Sequence, residues 1–427
     1  MRQLLFHASP LFLGMLFLMV GNGLHGSLLG VRSEIEGFST AAVSVVMSGY
    51  FLGFLAGSRA APRLIRRVGH VRVFAALASF ISAALIIFPV VTEPWVWVVL
   101  RIIIGFCFAG VYVTAESWLN NAASNELRGK ALSVYLLVQL TGLVAAQAIL
   151  SQGDPSGYVL FIVPSVLVSI SFAPILLSIT PTPPFETTKG LTFRRLYEAS
   201  PLGAVGMFLM GGVFSAQMSM AAVYGTRAGF DLGQVSAFVA AIFIGGAAFQ
   251  MPVGWSSDRV DRRIVILAVA GMGGVACLAG AVLPPSYGAA LVIGFLAGGA
   301  ANPLYSLLIA HTNDHLEADE MAAASGSLMF LNGLGSVTGP LVAGSVMTLV
   351  GVSGYFLYQG LLMVALTLYA VWRMTRRPAV APEDSGSYVP ISPSATPVAG
   401  EVAQEVAIEL AEAEAEAQQN NDTPDAA

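Results

Sequence analysis

The stretch Pro10–Leu29, PLFLGMLFLMVGNGLHGSLL, decides how the rest of the chain is read. Near an N-terminus it invites reading as a secretory leader, but leaders hold an apolar core of roughly 7–15 residues before a small-residue cleavage site. Here the apolar character persists for the roughly 20 residues that a helix needs to cross about 30 Å of hydrocarbon. The stretch is therefore expected to remain in the protein as a first membrane span.

Runs of similar length recur along the chain. In the first half they are centred near Val20, Tyr50, Ile81, Cys107, Thr141 and Ser169. In the second half they are centred near Val213, Phe243, Gly273, Gly299, Val337 and Met363. Gly and Pro inside these runs do not argue against spans, because neighbouring helices satisfy the backbone groups they free. Composition agrees: 56% of the 427 residues are hydrophobic and 11% are charged, where a soluble domain carries roughly 25% charged residues. Too little polar surface remains to face water all round. The expected fold is an all-α membrane protein of about twelve transmembrane helices in two six-helix, pseudo-symmetric bundles. Cys107 and Cys277 fall inside apolar runs, which excludes a disulfide framework and a multi-cysteine metal site.

Lys and Arg placement sets the orientation. With the N-terminus in the cytoplasm, all but three of the 20 Lys and Arg fall on the cytoplasmic side. Arg32 and Arg227 lie opposite, and Arg101 lies within a span. The positive-inside rule demands this asymmetry, so both termini are expected in the cytoplasm. The expected organisation is a first bundle over residues 1–180, a Pro-rich then basic cytoplasmic linker over 181–200, a second bundle over 201–375 and a disordered acidic tail over 376–427. From Pro378 to Ala427 the tail has ten acids and no Lys or Arg. Its Glu401–Gln418 part favours helix, and two readings stay open for it: a solvated tail, or one that regulates a gate by touching cytoplasmic arginines.

The halves also repeat. At an offset of 192–193 residues, Gly37-Phe38 aligns with Gly229-Phe230, Gly53 with Gly245, Arg67 with Arg259, Gly105 with Gly298, Tyr112 with Tyr305, Asn120 with Asn313 and Gly142 with Gly335. Parallel repeats of six helices belong to carriers that rock two halves around a central site, so the repeat weighs toward a carrier over a channel or receptor.

Several motifs carry a family resemblance. Gly254–Arg263, GWSSDRVDRR, resembles the loop motif G-x-x-x-D-R-x-G-R-R of the major facilitator superfamily, with Asp261 in place of the usual Gly. Asp258 would sit at a helix C-terminal end, where its charge is disfavoured unless a cation pairs with it. Asp258, Arg259, Arg262 and Arg263 are thus candidates for a cytoplasmic latch. The first-half counterpart, GSRAAPRLIRRVGH over Gly57–His70, keeps Arg66 and Arg67 but lacks the Asp, so the latch should rely more on the second half. Arg101 with Gly105 resembles the R-x-x-x-G motif of span four. Gly335–Gly344 resembles the G-x-x-x-G-P motif that drug/proton antiporters carry in span five, yet span five here reads Gly142-Leu-Val-Ala-Ala146-Gln147, without the Gly-Pro pair. Glu116-Ser-Trp-Leu-Asn120 and Ala61–His70 look like the YcaD-type branch of bacterial major facilitator proteins.

The resemblance implies that spans one, four, seven and ten line a central cavity. Their polar residues are Asn22, His25, Arg101, Tyr112, Gln217, Tyr224, Asn302 and Tyr305, with Gln139 and Gln147 added from span five. Asn302-Pro303 is expected to break span ten locally. Arg101, Glu116 and His25 are the coupling candidates. For Arg101 the alternatives are proton coupling or substrate-anion contact against an anchor to a helix end or to Glu34. Glu116 is either a proton carrier or a partner of loop arginines. The cavity inventory lacks a deep carboxylate, which points to a neutral or anionic polar solute.

The expected function is secondary active transport by alternating access, coupled to protons. The alternatives are a drug or metabolite efflux proton antiporter and a transport-fold sensor without flux. No Walker sequence, HExxH or Cys/His cluster is present, so neither a catalytic role, a metal nor a cofactor is expected. The expected setting is the bacterial inner membrane, as a monomer, with solute, protons and lipid as partners and no nucleic acid.

Overall fold

In lipid each backbone N–H and C=O must find a partner inside the protein, so an apolar run closes into a helix. The computed structural model describes residues 2–122, 125–173, 191–376, 378, 380 and 385–422, and all its regular structure is helical. In chain order the helices are α1 (Arg2–Ile35), α2 (Thr40–Val68), α3 (His70–Ile87), α4 (Pro94–Ala122), α5 (Asn125–Leu150), α6 (Val159–Ser171), α7 (Phe193–Ala199), α8 (Pro201–Arg227), α9 (Leu232–Ser257), α10 (Arg262–Val282), α11 (Tyr287–Asn313), α12 (Ala318–Val350), α13 (Gly354–Met374) and α14 (Pro397–Asp422). Eleven are long and apolar enough to cross a membrane, and α6 is a shorter apolar helix. The end expected for the sixth span and the Pro-rich start of the linker, residues 174–190, lie outside the described residues. The chain is an all-α membrane protein with the twelve-helix, two-bundle architecture. Large apolar side chains such as Phe80, Val275 and Leu368 face outward, which lipid tolerates and water does not.

The repeat has a packing cause. A Cβ on Gly53 would strike the Ile102 carbonyl, and one on Gly105 the Tyr50 carbonyl, so α2 and α4 touch backbone to backbone. The second half repeats this: Gly245 faces the Phe295 carbonyl and Gly298 the Ile242 carbonyl, joining α9 to α11. Gly142 and Gly335 do the same for α5 on α1 and α12 on α8. Small residues permit this approach in lipid, where dispersion and packing drive helix association. Gly37 and Gly229 close the loop after the first helix of each half with φ of 72° and 82°, a region that favours glycine.

Between the halves, α1 meets α8, α2 meets α12, and α5 meets α9. The loop arginines gather at one end, the basic face. At the opposite, far face the halves are zipped together. Arg227 at the end of α8 donates to the Phe38 carbonyl at 2.9 Å and to the Thr40 hydroxyl, and pairs with Glu34 at 2.9 Å. Ser48 donates to the Val337 carbonyl at 2.6 Å.

Two expectations are corrected. Span ten is not broken at Asn302-Pro303: α11 runs unbroken from Tyr287 to Asn313. The acidic tail is not disordered over 385–422. It crosses the basic face and forms α14, and Ala399, Val402, Ala403 and Val406 are buried. These residues recur at helical spacing, so the tail has an apolar seam to bury behind its acidic face.

Candidate functional site

A cavity of about 1080 Å³, open solvent at its mouth included, lies between the halves. Of the residues singled out from sequence, Asn22, Tyr112, Gln139, Asn302 and Tyr305 line it. Asn22 donates to the hydroxyls of Tyr50 and Tyr112, at 3.1 Å each, which ties α1, α2 and α4 at the cavity wall. Asn302 donates to the Gly298 carbonyl at 3.3 Å, one turn back on its own helix. The Tyr305 hydroxyl is buried without a hydrogen-bond partner among the described residues, and a buried polar group so left is costly. A solute that accepts or donates there would relieve that cost.

Four expected cavity residues are placed elsewhere. His25 packs edge-on against Phe88, ring centroids 4.6 Å apart, rather than into the cavity. Gln147 donates to the Leu143 carbonyl at 3.4 Å on its own helix. Tyr224 stacks on Tyr355 at 5.0 Å within a second-half aromatic cluster. Gln217 is buried on α8, where its neighbours Phe214 and Met218 reach the cavity and it does not. A helix presents only part of its circumference to a central space, so membership of a lining span does not place a residue on the lining side.

The cavity also takes residues from helices not expected to line it. Tyr50, Phe51, Phe54 and Arg59 come from α2, Phe243 from α9, and Phe330, Asn332 and Ser336 from α12. Arg59 sits over the Phe330 ring at 3.7 Å, a cation–π contact across the halves near the basic face. The signal available in sequence was proximity to repeated glycines: Tyr50 supplies the carbonyl against which Gly105 packs. Among the described lining residues there is no carboxylate, so the cavity offers hydrogen bonds, aromatic faces and one cation.

Arg101 lines a smaller space beside this cavity with Asn22, Ser27, Tyr50 and Ser219. It is buried, stacks over the Tyr50 ring at 4.6 Å and approaches the Met47 sulfur at 4.0 Å. Its Nε and Nη1 have no hydrogen-bond partner among the described residues. The anchor to Glu34 is not formed, because Glu34 pairs with Arg227. A charge inside a span normally faces a cavity or a partner, and Arg101, in the first third of α4, lies against the Tyr50 ring beside the cavity.

Among the described residues Glu116, near the basic-face end of α4, forms no ion pair with a loop arginine, although it lines one small space with Arg128. Its oxygens accept from the Thr396 amide at 3.2 Å, the Thr396 hydroxyl, the Ala399 amide at 3.4 Å and the Tyr135 hydroxyl at 3.4 Å. Around the latch motif, the side chains of Arg262 and Asp314 are each 3% exposed, and the pair closes at 2.6 Å. Arg262 also donates to Ser257 at 2.9 Å. Asp258, which caps α9, lies 4.0 Å from Arg262 and accepts the Tyr388 amide at 2.9 Å. Burial pushes the Asp314 carboxyl above the usual range, and Arg262 beside it pulls the other way. Arg263 pairs with Asp261 at 2.8 Å, and Arg259 sits over Trp255 at 4.4 Å. Arg66 and Arg67 are exposed at the end of α2.

The sequence pattern described as Major Facilitator Superfamily matches residues 11–242 and 203–398. An MFS-type transporter of Bacillus subtilis strain 168, YfkF, is 28% identical over 373 residues, covering 84% of this chain and 93% of that one. YcaD, an MFS-type transporter of Salmonella heidelberg, is 24% identical over 344 residues, covering 79% of this chain and 88% of that one. Among solved structures, the nucleoside transporter NupG superposes with a TM-score of 0.68 at 15% identity, over 88% of this chain and 99% of that chain. A bacterial homologue of the lysosomal transporter Spinster, inward-facing and unoccupied, gives a TM-score of 0.65 at 15% identity, over 94% of this chain and 98% of that chain.

Proposed function

Because the chain belongs to the major facilitator superfamily, we propose that it carries a small polar solute, neutral or anionic, across the membrane by alternating access, coupled to protons. The observation that carries this reading is the cavity between the halves, lined by Asn22, Tyr112, Asn302 and Tyr305 together with Tyr50 and Asn332, with no carboxylate among its described residues. Neutral amides and phenols bind a polar solute without demanding a positive charge on it. The zipped far face supports a state in which this path is shut at that end. Arg101, Glu116 and His25 remain the coupling candidates. The role is transport rather than catalysis. The positive-inside rule supports a cytoplasmic basic face, and the setting we infer is a bacterial inner membrane with a monomer as the working unit.

A second reading rests on the walls. Phe51, Phe54, Phe214, Phe243 and Phe330 line the same cavity, and aromatic faces suit an amphipathic solute. That favours a drug or metabolite efflux proton antiporter as the alternative.

The test is a thermal-shift screen of the purified protein, followed by flux into proteoliposomes under an imposed pH gradient. Nucleosides head the panel, since a structural neighbour is titled a nucleoside transporter. Saturable flux with counterflow is the expected result, and its direction relative to the proton gradient separates symport from antiport. Binding without flux would instead favour a sensor.

A further inference from the structure

The acidic tail does more than follow the last span. Ser392, Pro393, Ser394, Ala395 and Pro397 themselves line the central cavity, on its basic-face side. We propose that residues 385–409 are a self-docked plug that closes the basic-face mouth of the solute path, with Glu116 as its receptor. The proposal rests on reading the cavity as that path.

Glu116 and the start of α14 each supply what the other lacks. A buried carboxylate requires hydrogen-bond donors, and Glu116 is 2% exposed. The first turn of a helix has amide N–H groups without intrahelical partners and carries the positive end of the helix dipole. Pro397 at the first helical position has no N–H to offer. The Thr396 and Ala399 amides and the Thr396 hydroxyl all turn to the Glu116 carboxylate. Glu116 thus caps a helix from another part of the chain, as Asp231 caps its own helix α9.

The remaining contacts show a shaped fit. Ser306 and Ile391 exchange hydrogen bonds at 3.0 and 3.1 Å. Asn332 donates to the Pro393 carbonyl at 3.3 Å, and Asn313 donates to Gln404 at 2.6 Å. Glycines make room on both sides: a Cβ on Gly254 would meet the Tyr388 ring, and one on Gly400 would meet Ser325 and Met329. Arg128 pairs with Glu405 at 2.7 Å, joining the tail's acidic face to the first half. Glu116 and Arg128 belong to the first half, and Ser306, Asn313 and Asn332 to the second. The plug therefore fits one spacing of the halves and stabilises that state over any in which they have rocked apart.

Cross-linking and labelling of the full chain in inside-out membrane vesicles test this without any solute. Asn313→Cys with Gln404→Cys should form a disulfide on mild oxidation. A membrane-impermeant maleimide added at the basic face should label Ser336→Cys, which lines the cavity one turn beyond Asn332, slowly in the full chain. Deleting residues 378–427 should speed that labelling about tenfold or more, and Thr396→Val, which keeps the tail, should speed it several-fold. Absence of the cross-link, or equal labelling rates in the full chain, the deletion and Thr396→Val, would overturn the plug. Faster labelling on deletion but no flux in any vesicle would support the plug and count against the transport reading alone.

Discussion

Arg262 and Asp314 show what a single buried pair holds together. Breaking such a pair from one side leaves an uncompensated charge and costs about 3–5 kcal/mol, so Arg262→Ala should lower the thermal midpoint sharply. Arg262→Ala with Asp314→Asn should recover part of the loss. The pH dependence follows from burial, which already raises the Asp314 carboxyl above its unfolded value. With the opposing guanidinium gone, the folded protein takes up a proton that the unfolded chain releases. Stability of Arg262→Ala should then rise as pH falls, and its deficit should shrink toward pH of about 4, near the unfolded carboxyl. A melting series from neutral pH downward checks the sign. Arg101 makes a different prediction. Arg101→Ala should leave insertion and counterflow intact and abolish flux driven by the pH gradient, whereas coupled flux at the wild-type rate would remove it from the coupling role. Asn22, Tyr112 and Tyr305, which line the cavity, were picked out as polar residues in spans that the family resemblance places around it. Residue-level reading of the sequence missed Tyr50, Asn332 and Ser336 because their nearness to packing glycines marks a helix contact, not which side of the helix meets the cavity.

Helix against helix, contact is governed by glycine. Gly53→Ala and Gly245→Ala should each destabilise by about 1–3 kcal/mol, since the added methyl meets a carbonyl that cannot move without its helix. Gly288→Ala, with nothing near its Cβ position, should be neutral or slightly stabilising through helix propensity, by up to about 1 kcal/mol. Thermal unfolding in one detergent distinguishes the three. The helices themselves were legible because lipid imposes length and hydrophobicity on each run. The tail helix was only partly legible. Its Glu-rich face reads as solvated, while Thr396-Pro397, a cap residue followed by proline at the first helical position, was the available sign of an ordered start. What the tail docks against depends on Glu116, 280 residues away, and separation of that kind leaves no local trace.

For the whole molecule, two halves built alike enclose a polar space, with one end zipped and the other covered by the chain's own terminus. The fold class was legible from span count, charge asymmetry and repeat. The assignment of walls was not, since the cavity forms only when both halves come together. Substituted cysteines in the loops after α2 and after α9 should react with impermeant reagent from the same side of the membrane, as the arginine distribution requires.

Alternating exposure of the cavity is most directly tested with Ser336→Cys in a protein that also carries Glu34→Cys and Arg227→Cys, the ion-pair partners that join the halves at the far face. Impermeant maleimide should reach Ser336→Cys from either side of the membrane. A short reducible cross-linker joining the far-face pair should abolish labelling from that side alone, and reduction should restore it. Far-face labelling that continues at an unchanged rate through the completed cross-link would contradict the account.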